Sequence, residues 1–325
     1  MVQFLINLVI LASIAAIVAS ALNLLIGYTG VFSIAHAVFY GVGGYATAVV
    51  SLHISPSLLL AMGVSVVVSA AASVLLALPA ARVTGEYFVV ASLAFAVVGY
   101  SVFSQWTEVT GGAAGLVGIP RASIFGYEMY TNEAYLVLAL VSLGLVTGLI
   151  AFIIKRTPLG RSLQALRDDP LAAQALGKNP FRLRLIAVML SGAIASVGGV
   201  IYAGYINFVN ADSFTPDASV LFMAMVILGG AGTISGPIIG AFFITLFPSA
   251  LEFADVPVEL KGSFEQVIYG LALVVLMLVR PSGLASIFAI RRKSPDPETW
   301  SSGPAMQSVA AEAVVPHGTL AEEEA

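Results

Sequence analysis

Reactive side chains are scarce in this chain, and the chemistry open to it is narrow. Cysteine is absent, which removes disulfides, thiolate metal sites and cysteine nucleophiles. Three histidines occur. His36 sits alone in a Gly-rich stretch, behind Ser33 and ahead of Phe39 and Tyr40, and no second histidine lies nearby except His53. A lone histidine in a helix reads as a hydrogen-bond partner between helices, not as a ligand or proton relay. Neither a G-x-S-x-G elbow nor a His-Glu-x-x-His pattern is present, so hydrolytic chemistry of those types is not encoded. A G-x-x-x-x-G-K-[ST] phosphate loop is also missing, because Gly177-Lys178 is followed by Asn179 and lacks the earlier glycine. The chain reads as no enzyme, with no metal and no cofactor of its own.

What remains is backbone. Gly41–Gly44 with Tyr45, and the run Gly229–Gly236, are glycine-rich joints inside apolar stretches. Irregular backbone at membrane depth is tolerated where protein or water satisfies it, and there it can present N–H and C=O groups to a solute. His36, Gly41, Gly44, Tyr45, Gly229, Gly230 and Gly232 are therefore the candidate positions for a translocation pathway. Small residues also recur at spacing four: Gly232, Gly236 and Gly240; Ser191, Ala195, Gly199 and Ala203; Ser33, Ala37 and Gly41. Such stripes let helices approach closely in lipid.

The elements that must position these groups are set by composition. Hydrophobic residues make up 59% of the 325 and charged residues 10%, against about 25% charged in a soluble domain. A bilayer core needs roughly 20 apolar residues in helix. Suitable runs lie near 4–26, 31–52, 57–80, 87–105, 134–154, 185–207 and 264–279, and 218–250 divides at its glycines into 218–230 and 234–250. The fold class is all-α: a polytopic transmembrane bundle of about nine spans, within a range of about eight to ten. The first run lacks a basic n-region and is long enough to span, so it reads as a retained helix. No Asp, Glu, Lys or Arg falls in the interiors of these spans, Glu265 lying at the edge of the run 264–279. Ion-coupled pumps usually need such groups at depth, so energy is expected to enter from another subunit.

Orientation follows from the basic residues. Of the 14, Lys155, Arg156, Arg161, Arg167, Lys178, Arg182 and Arg184 share one loop region; Arg82, Arg280, Arg291, Arg292 and Lys293 fall on the same side by alternation, leaving Arg121 and Lys261. That places the N-terminus outside and the C-terminus in the cytoplasm. The net charge of −4 gives no reason to expect nucleic acid; membrane lipid is the partner the composition implies. Residues 1–290 form the membrane domain, including loop 155–184, and the Pro-, Ala-, Ser- and Glu-rich stretch 291–325 is expected to be a disordered cytoplasmic tail.

Loop 155–184 has its own design. Thr157-Pro158, Asp169-Pro170 and Asn179-Pro180 each pair an N-cap residue with proline at the first helical position. The first helix carries Leu159, Leu163 and Leu166 on one face, and the second is stopped by Gly177. A folded elbow is expected. Its second helix, two turns long, is too short to stand alone and should dock on a partner. On the other side, Thr110–Gly115 should form a compact loop.

The run Asp168-Asp169-Pro170-Leu171-Ala172-Ala173-Gln174-Ala175-Leu176-Gly177 resembles the coupling loop of ATP-binding-cassette importer permeases, in which Glu-Ala-Ala is followed three residues later by Gly. Ala172, Ala173 and Gly177 match, and Leu171 stands where the family has Glu. More narrowly, the chain resembles the LivM-type permeases of branched-chain amino acid importers. The similar segments are Gly27-Tyr28-Thr29-Gly30 through Ser33 and His36 to Gly44-Tyr45; Gly85-Glu86-Tyr87-Phe88; Thr110-Gly111-Gly112 with Gly115-Leu116 and Gly118-Ile119-Pro120; and Leu228–Thr233 with Gly236-Pro237. They run in the family's order over roughly 27–281. The resemblance implies a coupling contact at Asp169, Pro170, Ala172, Ala173 and Gly177. It also implies a second related permease subunit, two cytoplasmic ATPases that hydrolyse ATP, and a periplasmic or extracellular substrate-binding protein. The implied place is the cell (inner) membrane and the implied cargo branched-chain or similar amino acids. Urea, a short amide or another small polar solute is the alternative, since no side chain identifies the cargo.

Overall fold

A chain this apolar must satisfy its backbone polar groups internally, and it does so with helices. The computed structural model describes residues 2–80, 86–124, 127–251 and 270. In order, the elements are α1 (Val2–Thr29), α2 (His36–His53), α3 (Leu58–Ala80), α4 (Glu86–Gln105), α5 (Thr107–Thr110), β1 (Leu116–Val117), β2 (Ser123–Ile124), β3 (Tyr127–Glu128), α6 (Asn132–Arg156), α7 (Pro158–Asp168), α8 (Pro170–Ala175), α9 (Pro180–Ile206), β4 (Phe208–Val209), α10 (Pro216–Gly229) and α11 (Gly236–Leu251). The strands form two short antiparallel pairs, β1 with β4 and β2 with β3. The molecule is an all-α membrane bundle.

Among the described residues six helical stretches are long and apolar enough to cross a membrane: Val2–Thr29, Leu58–Leu78, Tyr87–Gln105, Asn132–Arg156, Pro180–Ile206 and Ala211–Gly229. Helices α2 and α11 occupy two more of the expected spans. The expected span 264–279 lies outside the described residues, as do Arg82, Gly85, Lys261 and the stretch 291–325. Helix α10, with 14 residues, is about 21 Å long at 1.5 Å per residue, short of a bilayer core of about 30 Å.

Helices α1, α2 and α9 make the centre. From Ile10 onward α1 is buried at almost every position, and the buried face of α9 carries Ser191, Ala195, Gly199 and Ala203. That stripe packs on α2. A Cβ at Gly199 would collide with the carbonyl of Tyr40, and one at Gly43 with the carbonyl of Ser196, so the two backbones are in direct contact. Helices α3, α4 and α6 enclose this core and turn Val67, Val98 and Leu145 outward. Charged residues of the helices lie at their ends: Glu133, Lys155 and Arg156 in α6, Arg182 and Arg184 early in α9, Asp217 in the first turn of α10.

Two expectations are corrected. The span expected from residue 31 becomes helical only at His36, and Gly30–Ala35 is non-helical. Other helices take its amides: Ile34 N–H donates to Ser92 Oγ of α4 at 2.9 Å and Ala37 N–H to Ser219 Oγ of α10 at 2.8 Å. Ser33 therefore lies off the helix face that Ala37 and Gly41 share. Conversely, α2 runs unbroken through Gly41–Gly44, so the glycines there serve close packing and the break falls at 30–35. Likewise Gly232 lies in the connection between α10 and α11, while Gly236 and Gly240 pack α11 on the carbonyls of Gly230 and Met225.

Candidate functional site

The elbow forms as its caps dictate. Thr157 ends α6 and starts α7 at once: its hydroxyl donates to the Ile153 carbonyl at 2.6 Å and accepts the Gly160 amide at 3.2 Å. Asp169 Oδ1 accepts the amides of Leu171 and Ala172 at 2.8 and 3.1 Å, and Asn179 Oδ1 that of Arg182 at 3.2 Å. Gly177, at φ 75°, closes α8 with its own amide on Gln174 and the Lys178 amide on Ala173. These caps fix three turns with little slack. Leu163 and Leu166 are fully buried and Leu159 half-buried, so α7 is anchored to the bundle. Helix α8 is not. Ala173 is buried, but Leu171 and Leu176 are 76% and 77% exposed, two bare leucines on a two-turn helix.

From this elbow one side chain reaches the membrane joints. Arg167 Nη1 donates to the Gly27 carbonyl at 2.7 Å, while its Nε and Nη2 hold Asp168 Oδ1 at 3.0 Å. Gly27 lies in the last turn of α1, just before Gly30–Ala35. Asn23, one turn earlier, clasps the other joint: its Oδ1 accepts the Gly232 amide at 2.8 Å and its Nδ2 donates to the Thr233 carbonyl at 2.8 Å. A side chain at Gly27 would overlap Gly232, and Gly232 itself sits at φ 80°, a conformation that glycine adopts without strain. The elbow and both joints thus meet at one point. Sequence reasoning took Arg167 for a surface charge; its place at the C-terminal end of α7, level with the joints, is a tertiary fact.

The seven candidate pathway residues fall in three places. His36 is fully buried at the start of α2, its Nε2 2.7 Å from Ser191 Oγ, which donates to the Ala21 carbonyl at 2.5 Å. That hydroxyl proton is committed, so His36 Nε2 carries hydrogen and donates; Nδ1 has no partner among the described residues. The expected role between helices is what the geometry displays. Gly41, Gly44 and Tyr45 lie at the opposite end of the bundle beneath Phe214, a fully buried ring set among Tyr40, Tyr45, Phe103 and Tyr202 with centroids 5.0, 5.8, 6.0 and 6.1 Å away. Cβ atoms at Gly41 and Gly44 would press on that ring. Gly229, Gly230 and Gly232 belong to the joint at the elbow end. Above the cup, Thr110–Gly115 is compact as expected, with the Thr110 hydroxyl donating to the Phe103 carbonyl at 2.8 Å.

A bundle whose described spans keep their charges near the ends, with two broken segments and a protruding capped elbow, fits the membrane subunit of a transporter. Residues 4–279 match the family described as "Branched-chain amino acid transport system / permease component". The chain belongs to that family, on its LivM-type branch. It is 30% identical over 302 residues to the high-affinity branched-chain amino acid transport system permease protein LivM of Salmonella typhimurium, covering 86% of this chain and 69% of the relative. To the probable branched-chain amino acid transport permease protein LivM of Methanocaldococcus jannaschii it is 25% identical over 289 residues, 81% of this chain and 83% of the relative. The autoinducer 2 import system permease protein LsrC of Shigella flexneri is 27% identical over 216 residues, 62% of this chain and 60% of the relative. No solved structure gives a significant match.

Proposed function

We propose that the chain is the membrane-spanning permease subunit of an importer that carries branched-chain or similar amino acids across the inner membrane, driven by ATP hydrolysed in separate subunits. The observation that carries this reading is the pairing of an exposed apolar α8 with a rigid connection from α7 to both joints through Arg167. An ATPase docking on Leu171 and Leu176 gains their burial, roughly 1.5–3 kcal/mol each. Its closure pushes α8, the caps at Thr157 and Asp169 pass the push to α7, and Arg167 pulls the end of α1. A rigid-body tilt of this kind switches access. The basic elbow faces the cytoplasm and the N-terminus lies outside. A second related permease subunit completes the path, and a substrate-binding protein delivers cargo at the Phe214 end, where β1 and β4 and the loop 107–115 form an ordered surface.

The test is uptake of labelled leucine into proteoliposomes holding the complex with its ATPases and binding protein. Arg167→Gln removes a charge-assisted hydrogen bond worth about 1.5–3 kcal/mol, so ATP-driven uptake should fall about 10-fold while ATP hydrolysis persists. A cysteine placed at 171 in this cysteine-free chain should label from the cytoplasmic side. Labelling from outside, or leucine accumulation against a gradient by the chain alone, overturns the reading. The match to autoinducer 2 permeases favours one second reading, the same machine with a different small polar cargo. Binding of urea or a short amide, and not leucine, by the partner binding protein would select it.

A further inference from the structure

An open cavity of about 860 Å³ lies beside the elbow, walled by Tyr28 of α1, Ala151, Ile154 and Lys155 of α6, Arg161 and Gln164 of α7, and Gly232–Ser235 of the joint. Among the described residues two cations and no carboxylate line it. Among the described residues the one ion pair is Arg167 with Asp168, so Lys155 and Arg161 have no acidic partner. Thr233 and Ser235 also line it, and α11 begins directly after them at Gly236, which brings the positive end of that helix to the same space, its first amide capped by Thr233 Oγ1 at 3.0 Å. The cavity is built for an anion.

Its surroundings say which one. Gly144, Gly148, Ala151 and Lys155 share one face of α6, and a Cβ added at Gly144 or Gly148 would meet nothing within 4 Å. A bare strip of helix thus rises from the cationic pocket along the outward side of α6, flanked by exposed Leu145 and Phe152 and apart from the α1–α2–α9 core. Charge at the membrane boundary with an apolar strip above it matches a lipid: phosphate below, acyl chain above. We propose that this cavity binds the phosphate headgroup of an anionic membrane phospholipid, held by Lys155 and Arg161 against the start of α11. Basic pockets between membrane helices suit such headgroups. The inference needs the bundle to lie in lipid and does not depend on the cargo or the direction of transport.

Native mass spectrometry of the full chain in detergent, titrated with phosphatidylglycerol or phosphatidylcholine of equal acyl length, is the test. Wild type should retain phosphatidylglycerol preferentially. Each basic residue near an anionic surface contributes roughly fivefold, so Lys155→Gln/Arg161→Gln should lower that retention by about 10-fold or more. Lys178→Gln/Arg182→Gln makes the same change of charge in the elbow outside the cavity and should leave it intact. Gly148→Leu fills the strip without altering charge, and should weaken long-chain phosphatidylglycerol more than a short-chain analogue. Equal retention of the two lipids, or equal loss in the two double variants, overturns the proposal. Displacement of the lipid by millimolar inorganic phosphate would assign the pocket to free phosphate and overturn the lipid. Retention untouched by Gly148→Leu would leave the strip to a partner helix and equally count against it.

Discussion

The elbow and the aromatic cup stand at opposite ends of α9 and obey opposite rules. The caps that shape the turns of the elbow each span two to five residues: Thr157 to Gly160, Asp169 to Leu171 and Ala172, Asn179 to Arg182, Lys178 to Ala173. Its leucines at 171 and 176 face outward. The cup is assembled from α2, α4, α9 and the turn 211–214, segments far apart in the chain, and its central ring is wholly enclosed. One end holds its shape locally and leaves its surface free for a partner. The other closes on itself, and its shape exists only while the helices are together.

The comparison breaks most easily at Phe214. Truncating a buried phenylalanine to alanine costs about 3–5 kcal/mol through the cavity it leaves, and four ring contacts go with it. Phe214→Ala should lower the unfolding temperature of the purified chain by several degrees, measured by intrinsic fluorescence, with Phe214→Leu recovering most of the loss. An unchanged transition for the alanine variant would mean that the ring is not a packed plug.

The same contrast explains what could be read from residues alone. The described spans other than the start of α2, the elbow and its three caps were legible because helix periodicity and capping are written within a few positions. Even Gly177 was legible, since a glycine after a short capped helix has one common use. The joint at 229–236 was visible as a glycine run, but the break at 30–35 was not, nor was their meeting: Asn23 lies 209 and 210 positions from Gly232 and Thr233, and Arg167 140 from Gly27. The start of α2 was misplaced for the same reason, because the hydroxyls that take its first amides come from Ser92 and Ser219. Phe214 carries no local signal at all.

At Gly177 the effect should be intermediate and confined to the elbow. A Cβ there meets nothing within 4 Å, so substitution adds no clash, but φ is 75°. Forcing valine into that conformation costs roughly 1–2 kcal/mol, enough to unwind α8 from its end while the bundle stays intact. Gly177→Val should reduce leucine uptake by about 5-fold to 10-fold, uncoupled from ATP hydrolysis, with normal membrane abundance and unfolding temperature. Asparagine tolerates the left-handed conformation, so Gly177→Asn should keep most of the uptake. If valine and asparagine act alike, backbone conformation at the cap is not what transmits the push.

The smallest change in the chain itself belongs to Leu171, and it sharpens the comparison most. This residue stands where the resembled permeases carry glutamate, and it is 76% exposed on a helix with one buried position. Substitution at such a site shifts stability by no more than about 0.5 kcal/mol. A glutamate there would sit in the first turn of α8, where a negative charge is tolerated. Leu171→Glu should therefore leave unfolding and membrane abundance untouched. Under the proposed function it removes apolar area offered to the ATPase, so that association should weaken by about 10-fold, as expected from the roughly 1.5–3 kcal/mol gained on burying a leucine. Leu171→Met should preserve it. Tighter ATPase binding by the glutamate variant would mean that the partner still presents a cation to this position, and the leucine would then be a departure from the fit instead of its basis.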